Sequence, residues 1–283
     1  MDPTTTDTSH WKRFKWDFAA LFVGAHVAAL ASIAYIDWGP LAVALLLHFV
    51  IFSFGISFGY HRLLTHRTLE APKWLEYTLA TIGALALQGP PMEFVGTHRY
   101  HHAHAETDAD VHSPAHGFFW SYVGWLFTYD MHAYVRYAPE SMQSDRWYRF
   151  LGRHLFLPQV PIAVALWWFG GAPYVMCGVF LRIVLVWHTS FLVNAVTHTI
   201  GTRPHPSRDS STNNWLVALV SYGEGWHNNH HAYPRSARLG HRWWEVDVTW
   251  WFVRLSEALG LVYDVRRPEV SGARVPVAAP TSR

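Results

Sequence analysis

Two apolar runs, Phe18 to Ile36 and Leu41 to Phe58, are separated only by Asp37-Trp38-Gly39-Pro40. Each has about the ~20 residues that a membrane-spanning helix needs, and so short a turn makes them an antiparallel hairpin. A second pair repeats the arrangement: Leu155 to Phe169, the turn Gly170-Gly171-Ala172-Pro173, and Tyr174 to Val196. The predicted fold is an all-α membrane protein with four transmembrane helices in two hairpins, the spans being about 18–36, 41–58, 155–169 and 174–196.

Composition agrees. Hydrophobic residues make up 51% of the chain, charged residues only 15%, and there are 16 tryptophans, a balance unlike that of a soluble enzyme. Mean hydropathy is only +0.04, so a polar half must remain in water. That half is predicted to be a helical cap, residues 61–154 and 198–265, completing a single domain over 1–265. Within it residues 74–95, interrupted by Gln88 and Gly89-Pro90-Pro91, are predicted to lie in or dip into the membrane interface. Residues 1–10 and 266–283 are expected to be disordered tails. Lys12, Arg13 and Lys15 flank the first span, and neither short turn carries Lys or Arg. This places both termini and the whole cap on the cytoplasmic side. The first apolar run continues past Ala29-Leu30-Ala31 into a second span, which argues against a cleaved signal peptide.

Net charge is +2 and the pI about 8.7, a mild excess that suits anionic lipid headgroups and shows no nucleic-acid stripe. Nucleic acid is not an expected partner. The one cysteine, Cys177, excludes an intrachain disulfide and a CxxC site. Walker loops, dinucleotide fingerprints, nucleophile elbows and HExxH helices are all absent. Electrons for any redox reaction must then come from a separate carrier.

The polar half is dominated by histidine. His98, His101 and His102 follow an i, i+3, i+4 spacing that puts three imidazoles on one helical face, and His227, His230 and His231 repeat it. His61 and His66 stand at the inner end of the second span. Asn194 and His198, i and i+4 near the inner end of the fourth, add one imidazole and an amide able to hold a metal-bound water. Imidazole binds iron, copper, zinc or nickel, and so many ligands imply two ions. Glu106, Asp108, Asp110, Glu224 and His112 are placed to orient ligand rings from behind. His26, His48 and His188 lie inside spans, where structural roles are expected; Arg182 there either snorkels or pairs with a polar group in the bundle.

These segments resemble the integral-membrane fatty acyl desaturases, the histidine-box family that includes the stearoyl-CoA enzymes. The resemblance rests on HRLLTH at His61, HRYHH with AETDADVH at His98, NAVTH at Asn194 and GEGWHNNHHAYP at Gly223. It extends to GFFWSYVGW at Gly117 and WWEVDVTW at Trp243, covering roughly residues 15–265. It implies a di-iron site (Fe2+/Fe3+) with nine ligands, His61, His66, His98, His101, His102, His198, His227, His230 and His231, and Asn194 acting through water. It further implies dioxygen as co-substrate, a cis double bond at the ninth carbon of a fatty acyl chain, and a bent acyl tunnel with Gln88 and Phe94 at the bend. Counting back from His61 by two and three helical turns reaches Ser53 and Phe49, and the resemblance implies that this part of the second span closes the tunnel, with Phe49 as its floor and Ser53 leaving room above it. Gly96-Thr97, Ala115 and His116 stand where the animal acyl-CoA enzymes carry charged residues, and FVGTHRYHH is similar to bacterial and cyanobacterial acyl-lipid enzymes. Both acyl-lipid and acyl-CoA substrates remain open on these residues. The electron donor implied is a ferredoxin or cytochrome b5 type carrier with its reductase, docking by Arg235, Arg238 and Arg242, and the location a bacterial inner membrane. The alternatives are a di-iron lipid hydroxylase and, in another class, a histidine-rich metal transporter, whose ligands would cross the span midplanes instead of gathering at their inner ends.

Overall fold

The computed structural model describes residues 14–268, and within them the regular structure is helical, with isolated bridges and no strand. The tails expected to be disordered, 1–10 and nearly all of 266–283, lie outside the described residues; Arg266 ahead of the second is pinned, its N–H donating to Thr68 O and its carbonyl accepting from Ala237 N. The helices are α1 Trp16–Ala31, α2 Trp38–Phe49, α3 Lys73–Ala84, α4 Pro91–His104, α5 Phe118–Tyr122 and α6 Glu140–Gln143. They continue as α7 Arg146–Arg153, α8 Gln159–Val175, α9 Arg182–Val196, α10 Trp215–Val220, α11 His227–Ala232 and α12 Val248–Ala258.

Among the described residues three continuous helical stretches are long and apolar enough to cross a membrane: Trp16–Tyr35, Trp38–Thr65 and Gln159–Val196. The first turn is as short as the sequence predicts. Asp37 caps α2 by accepting from Trp38 N at 2.8 Å, and Pro40 sits in the first helical turn, where its missing N–H costs nothing. α2 then continues without interruption as a π-type segment, Val50–Thr65.

The third stretch is not straight. Its backbone leaves helical geometry at Gly170 and again at Gly171, where φ is +69°, a conformation that glycine adopts without strain. The Arg182 guanidinium donates to Gln159 Oε1 at 2.8 Å, although the two residues would stand over 30 Å apart along a straight helix. The chain therefore doubles back, as the Gly-Gly-Ala-Pro turn predicts. The first arm differs from expectation in length: from Gln159 to Phe169 it rises only about 16 Å, half of a ~30 Å hydrocarbon layer. Leu155 to Leu157 are apolar but form a turn closed by His154 O to Leu157 N, and the helix starts only after Pro158. Arg182, fully buried, also donates to Gly178 O and Leu85 O, so it pairs within the bundle.

Residues 74–95, predicted as one interfacial stretch, form α3 and the start of α4 with a break at 85–90. α3 packs against the π-type segment so closely that a Cβ on Gly55 would lie 2.6 Å from Gly83 N. α4 is held as tightly, since a Cβ on Gly96 would lie 2.0 Å from Tyr134 O. α4 also packs on α2's continuation, Tyr60 against Phe94 with ring centroids 5.1 Å apart, and α11 meets both through His230. The three elements that carry most of the histidines thus meet at the C-terminal ends of the stretches Trp38–Thr65 and Gln159–Val196.

Candidate metal centre

Nine histidines converge in two groups. His61, His66, His98, His102 and His230 form one, and His101, His198, His227 and His231 the other, with the nearest ring nitrogens in each group all within 4.8 Å of one another. α4 sends His98 and His102 to the first group and His101 to the second, while α11 sends His230 to the first and His227 and His231 to the second. Neighbouring residues on a helix diverge by about 100°, so each box serves both groups.

The spacing inside the groups fits metal coordination. Nε2 of His230 lies 3.1 Å from Nε2 of His61 and 2.9 Å from that of His102, which lies 3.1 Å from that of His98. In the second group Nε2 of His227 lies 3.1 Å from that of His198 and 3.0 Å from that of His231. Two imidazole nitrogens bound at about 2.1 Å and at right angles to one ion stand about 3.0 Å apart.

Carboxylates settle which nitrogen faces inward. Glu224 meets His61 Nδ1 at 2.7 Å, Asp110 meets His101 Nδ1 at 2.9 Å, Glu106 meets His198 Nδ1 at 3.1 Å and Asp209 meets His231 Nδ1 at 2.6 Å. For His101, His198 and His231 the hydrogen bond fixes a proton on Nδ1 and leaves Nε2 with its lone pair, while Glu224 meets His61 as an ion-pair contact. His198 and His231 then both turn lone pairs on His227 Nε2, which has at most one proton to share. Nε2 of His66 and of His101 is buried with no hydrogen-bond partner. Protein alone leaves these nitrogens unsatisfied, and each group of imidazoles could hold a metal ion.

Electrostatics agrees with neutral ligands. The imidazoles of His66, His98, His102, His227, His230 and His231 are all held well below their ordinary pKa, by burial first and then by neighbouring imidazoles. Burial pulls His101 down too, but Asp110 outweighs it and the net shift is upward. Burial alone raises Glu224, yet His61, Arg62 and Ser57 bring it to about 2. The sign of the pH dependence follows. Below pH 6.5 the unfolded chain protonates six imidazoles that the fold keeps neutral, so the unfolded state binds more protons and stability falls with pH. His101 opposes this as one group against six, and Glu224 adds its loss only between about 4.5 and 2. The metal-free protein in detergent is expected to hold its Tm above pH 7 and lose it steeply from pH 6.5 downward; a Tm unchanged between pH 8 and 5 contradicts this assignment.

Of the other residues singled out in the sequence, His112 packs on His101 with ring centroids 4.2 Å apart. Asp108 is exposed on the loop after α4, its carboxylate bonded to none of the clustered histidines. Asn194 lines the cavity beside His101 and His227, its side chain without a hydrogen bond inside the protein. Asp209 escaped the sequence reading, because it reaches His231 only through the folding of the 201–212 loop. The span histidines are satisfied locally: His26 and His188 bond each other at 3.0 Å, and His48 bonds Tyr222 and Thr189 at 2.8 and 2.9 Å.

A cavity of about 400 Å³ leads to both groups. Gln88 and Phe94 line it, together with Phe52, Ile56, Trp187 and Phe191. Ser53 and Phe49 do not. Ser53 is buried against Thr249 Oγ1 at 3.0 Å, and Phe49 packs on Tyr222 and Phe252. The reason is the π-type segment. Its i to i+5 turns take more residues than the 3.6 of an α-helix, so stepping back from His61 reaches Ile56 and then Phe52.

Comparison with known proteins gives the same direction. Residues 36–264 match the family model for fatty acid desaturase. The chain is 45% identical over 267 residues to an sn-2 palmitoyl-lipid 9-desaturase of Nostoc sp. (strain 36), covering 92% of this chain and 93% of that protein. It is 44% identical to an sn-1 stearoyl-lipid 9-desaturase of Anabaena variabilis, covering 93% and 97%. An icosanoyl-CoA 5-desaturase of Limnanthes douglasii is 40% identical, covering 91% and 75%.

Proposed function

The chain belongs to the fatty acid desaturase family, and on that premise we propose that it introduces a cis double bond at the ninth carbon of a saturated acyl chain carried on a membrane lipid. It is an oxidoreductase: two hydrogens leave adjacent methylenes, and with dioxygen, two electrons and two protons the products are an alkene and two waters. The observation that carries the reading is the cavity whose apolar walls, Phe52, Ile56, Phe94, Trp187 and Phe191, run up to both histidine groups. Two irons held by the nine imidazoles, with Asn194 holding a water, supply the oxidising power that an unactivated methylene demands.

The protein's own residues do the rest. The aromatic and aliphatic walls exclude water and align the chain beside the histidines. Gln88, fixed by Nε2 bonds to Val186 O and Ser190 Oγ, shapes the passage between them. Glu106, Asp110 and Asp209 hold their ligand rings in one tautomer, and with Glu224 they offset the charge of the site. The lipid carrier and the ninth carbon are supported by the Nostoc and Anabaena relatives, and Gly96 leaves no room for a charged side chain where the animal acyl-CoA enzymes have one.

The two hairpins, the second with a short first arm, support a topology with termini, cap and metal centre on the cytoplasmic side of a bacterial inner membrane. Electrons come from a separate small carrier, of ferredoxin or cytochrome b5 type, steered by Arg235 and Arg242, which are exposed, and by half-buried Arg238. Expression in cells lacking unsaturated lipids, followed by gas chromatography and mass spectrometry, should yield cis-9 monounsaturated acyl chains. Hydroxylated or unchanged acyl chains contradict the proposal. Ile56→Trp, which fills the passage beyond His61, is expected to shift the preferred substrate to shorter chains by at least about two carbons; an unaltered profile in an active variant places the floor elsewhere.

A further inference from the structure

The cavity opens on a mouth with two unlike lips. One is apolar and formed by Phe18 and Leu21 of α1 with Phe156, the last two exposed. The other is polar and carries Lys15, Glu93, Asp130 and His132. A mouth that is half apolar and half charged, at the end of a membrane helix, belongs at the boundary between hydrocarbon and headgroups. Such an opening lets one acyl chain slide in from the bilayer while the rest of the lipid stays at the surface.

The charges on the polar lip are mixed. Lys15 Nζ donates to Tyr129 O at 3.1 Å and retains two further N–H groups. Glu93 holds His132 Nδ1 at 3.3 Å, and exposed Asp130 accepts from His132 N with one oxygen at 3.1 Å, leaving the other oxygen free. Two carboxylates repel a polyanion such as the CoA head, and a single ammonium is a weak site for a purely anionic lipid. One cation beside two carboxylates matches a phosphate joined to an ammonium. Deeper in the same cavity Trp125 Nε1 is buried without a hydrogen-bond partner, the residue 5% exposed, and it is a donor suited to an ester carbonyl.

We propose that this mouth is a head-group subsite for an intact diacyl phospholipid with a zwitterionic head, Lys15 taking the phosphate, Glu93 and Asp130 the ammonium, and Phe18, Leu21 and Phe156 the second acyl chain. The proposal rests on the acyl-lipid reading above and adds the class of head group to it. The test is native mass spectrometry of the full iron-loaded protein in detergent, offered equal amounts of dipalmitoyl phosphatidylethanolamine, dipalmitoyl phosphatidylglycerol, a dipalmitoyl galactolipid and palmitoyl-CoA. Phosphatidylethanolamine is expected to be retained at least about tenfold over each of the others. Glu93→Gln with Asp130→Asn should abolish the preference over phosphatidylglycerol, and Lys15→Ala should weaken both phospholipids, with iron content and Tm unchanged. Equal retention of all three lipids, or strongest retention of the galactolipid, overturns the zwitterion subsite and leaves the acyl-lipid reading intact. Strongest retention of palmitoyl-CoA overturns both. A preference untouched in the double variant shows that these carboxylates do not read the head group, and overturns the assignment.

Discussion

Iron analysis of the active protein is expected to return two irons per chain, and His230→Ala is expected to lower that to one or less while cutting turnover by about 10³-fold or more. His230 is the hinge of the first group, its Nε2 facing those of His61 and His102 at 3.1 and 2.9 Å. Removing it takes one of five ligands from that group and leaves the remaining lone pairs facing empty space. A metal's contribution to a transition state is several kcal/mol, and about 4 kcal/mol is a thousandfold in rate. His154→Ala is the control, since His154 is exposed after α7 and belongs to neither group; it should keep both irons. Imidazole ligands do not favour iron over zinc by affinity, so the count must be made on protein of known turnover. Two irons and full activity in His230→Ala would falsify the ligand assignment.

What the sequence discloses depends on how local the physics is. The i, i+3, i+4 boxes announce a shared face because helix geometry alone puts His98 beside His102 and His227 beside His231, with no tertiary contact required. Asp110 is legible because its partner His101 stands nine residues away; Glu106 and Glu224 stand beside a box in the chain and so draw notice, although the rings they hold, His198 and His61, lie on distant segments. Asp209 stands beside no box, and the loop that carries it to His231 has no pattern. Ser53 and Phe49 fall outside the cavity lining for a different reason. A residue count converts to a direction only if the residues per turn are known, and the π-type turns of Val50–Thr65 carry no hydrophobic signature that would announce them. Hydropathy likewise locates the second hairpin through its Gly-Gly-Ala-Pro turn. It cannot tell that Leu155 to Leu157, although apolar, stop short of the helix at Pro158.

Arg62→Met is expected to destabilise the protein by about 3–5 kcal/mol, the cost typical of removing one partner from a buried ion pair. Arg62 is 1% exposed, and its guanidinium binds Asp247 Oδ1 at 2.9 Å and Oδ2 at 3.1 Å, Glu224 Oε1 at 3.2 Å and Ala237 O at 2.8 Å. Methionine fills similar space but leaves two buried carboxylates without their counter-charge. The damage spreads along both arms. Glu224, held as well by Ser57, fixes the His61 ring, so the metal affinity of the first group is expected to fall about 10–100-fold. Asp247 caps α12 through Trp250 N at 2.9 Å and accepts from Leu239 N at 2.8 Å, so the segment that clamps α11 loosens too. Arg62→Lys keeps a charge but cannot present a planar fork to two carboxylates, and should fall between parent and Arg62→Met. Thermal unfolding in detergent reads the stability and iron titration reads the affinity. If the residues act as one network, Arg62→Met combined with Asp247→Leu will cost less than the sum of the two single changes, because each single change already strands the same charges. Strict additivity would show that Arg62 and Asp247 contribute independently, and that the link from α12 through Glu224 to His61 carries no coupling.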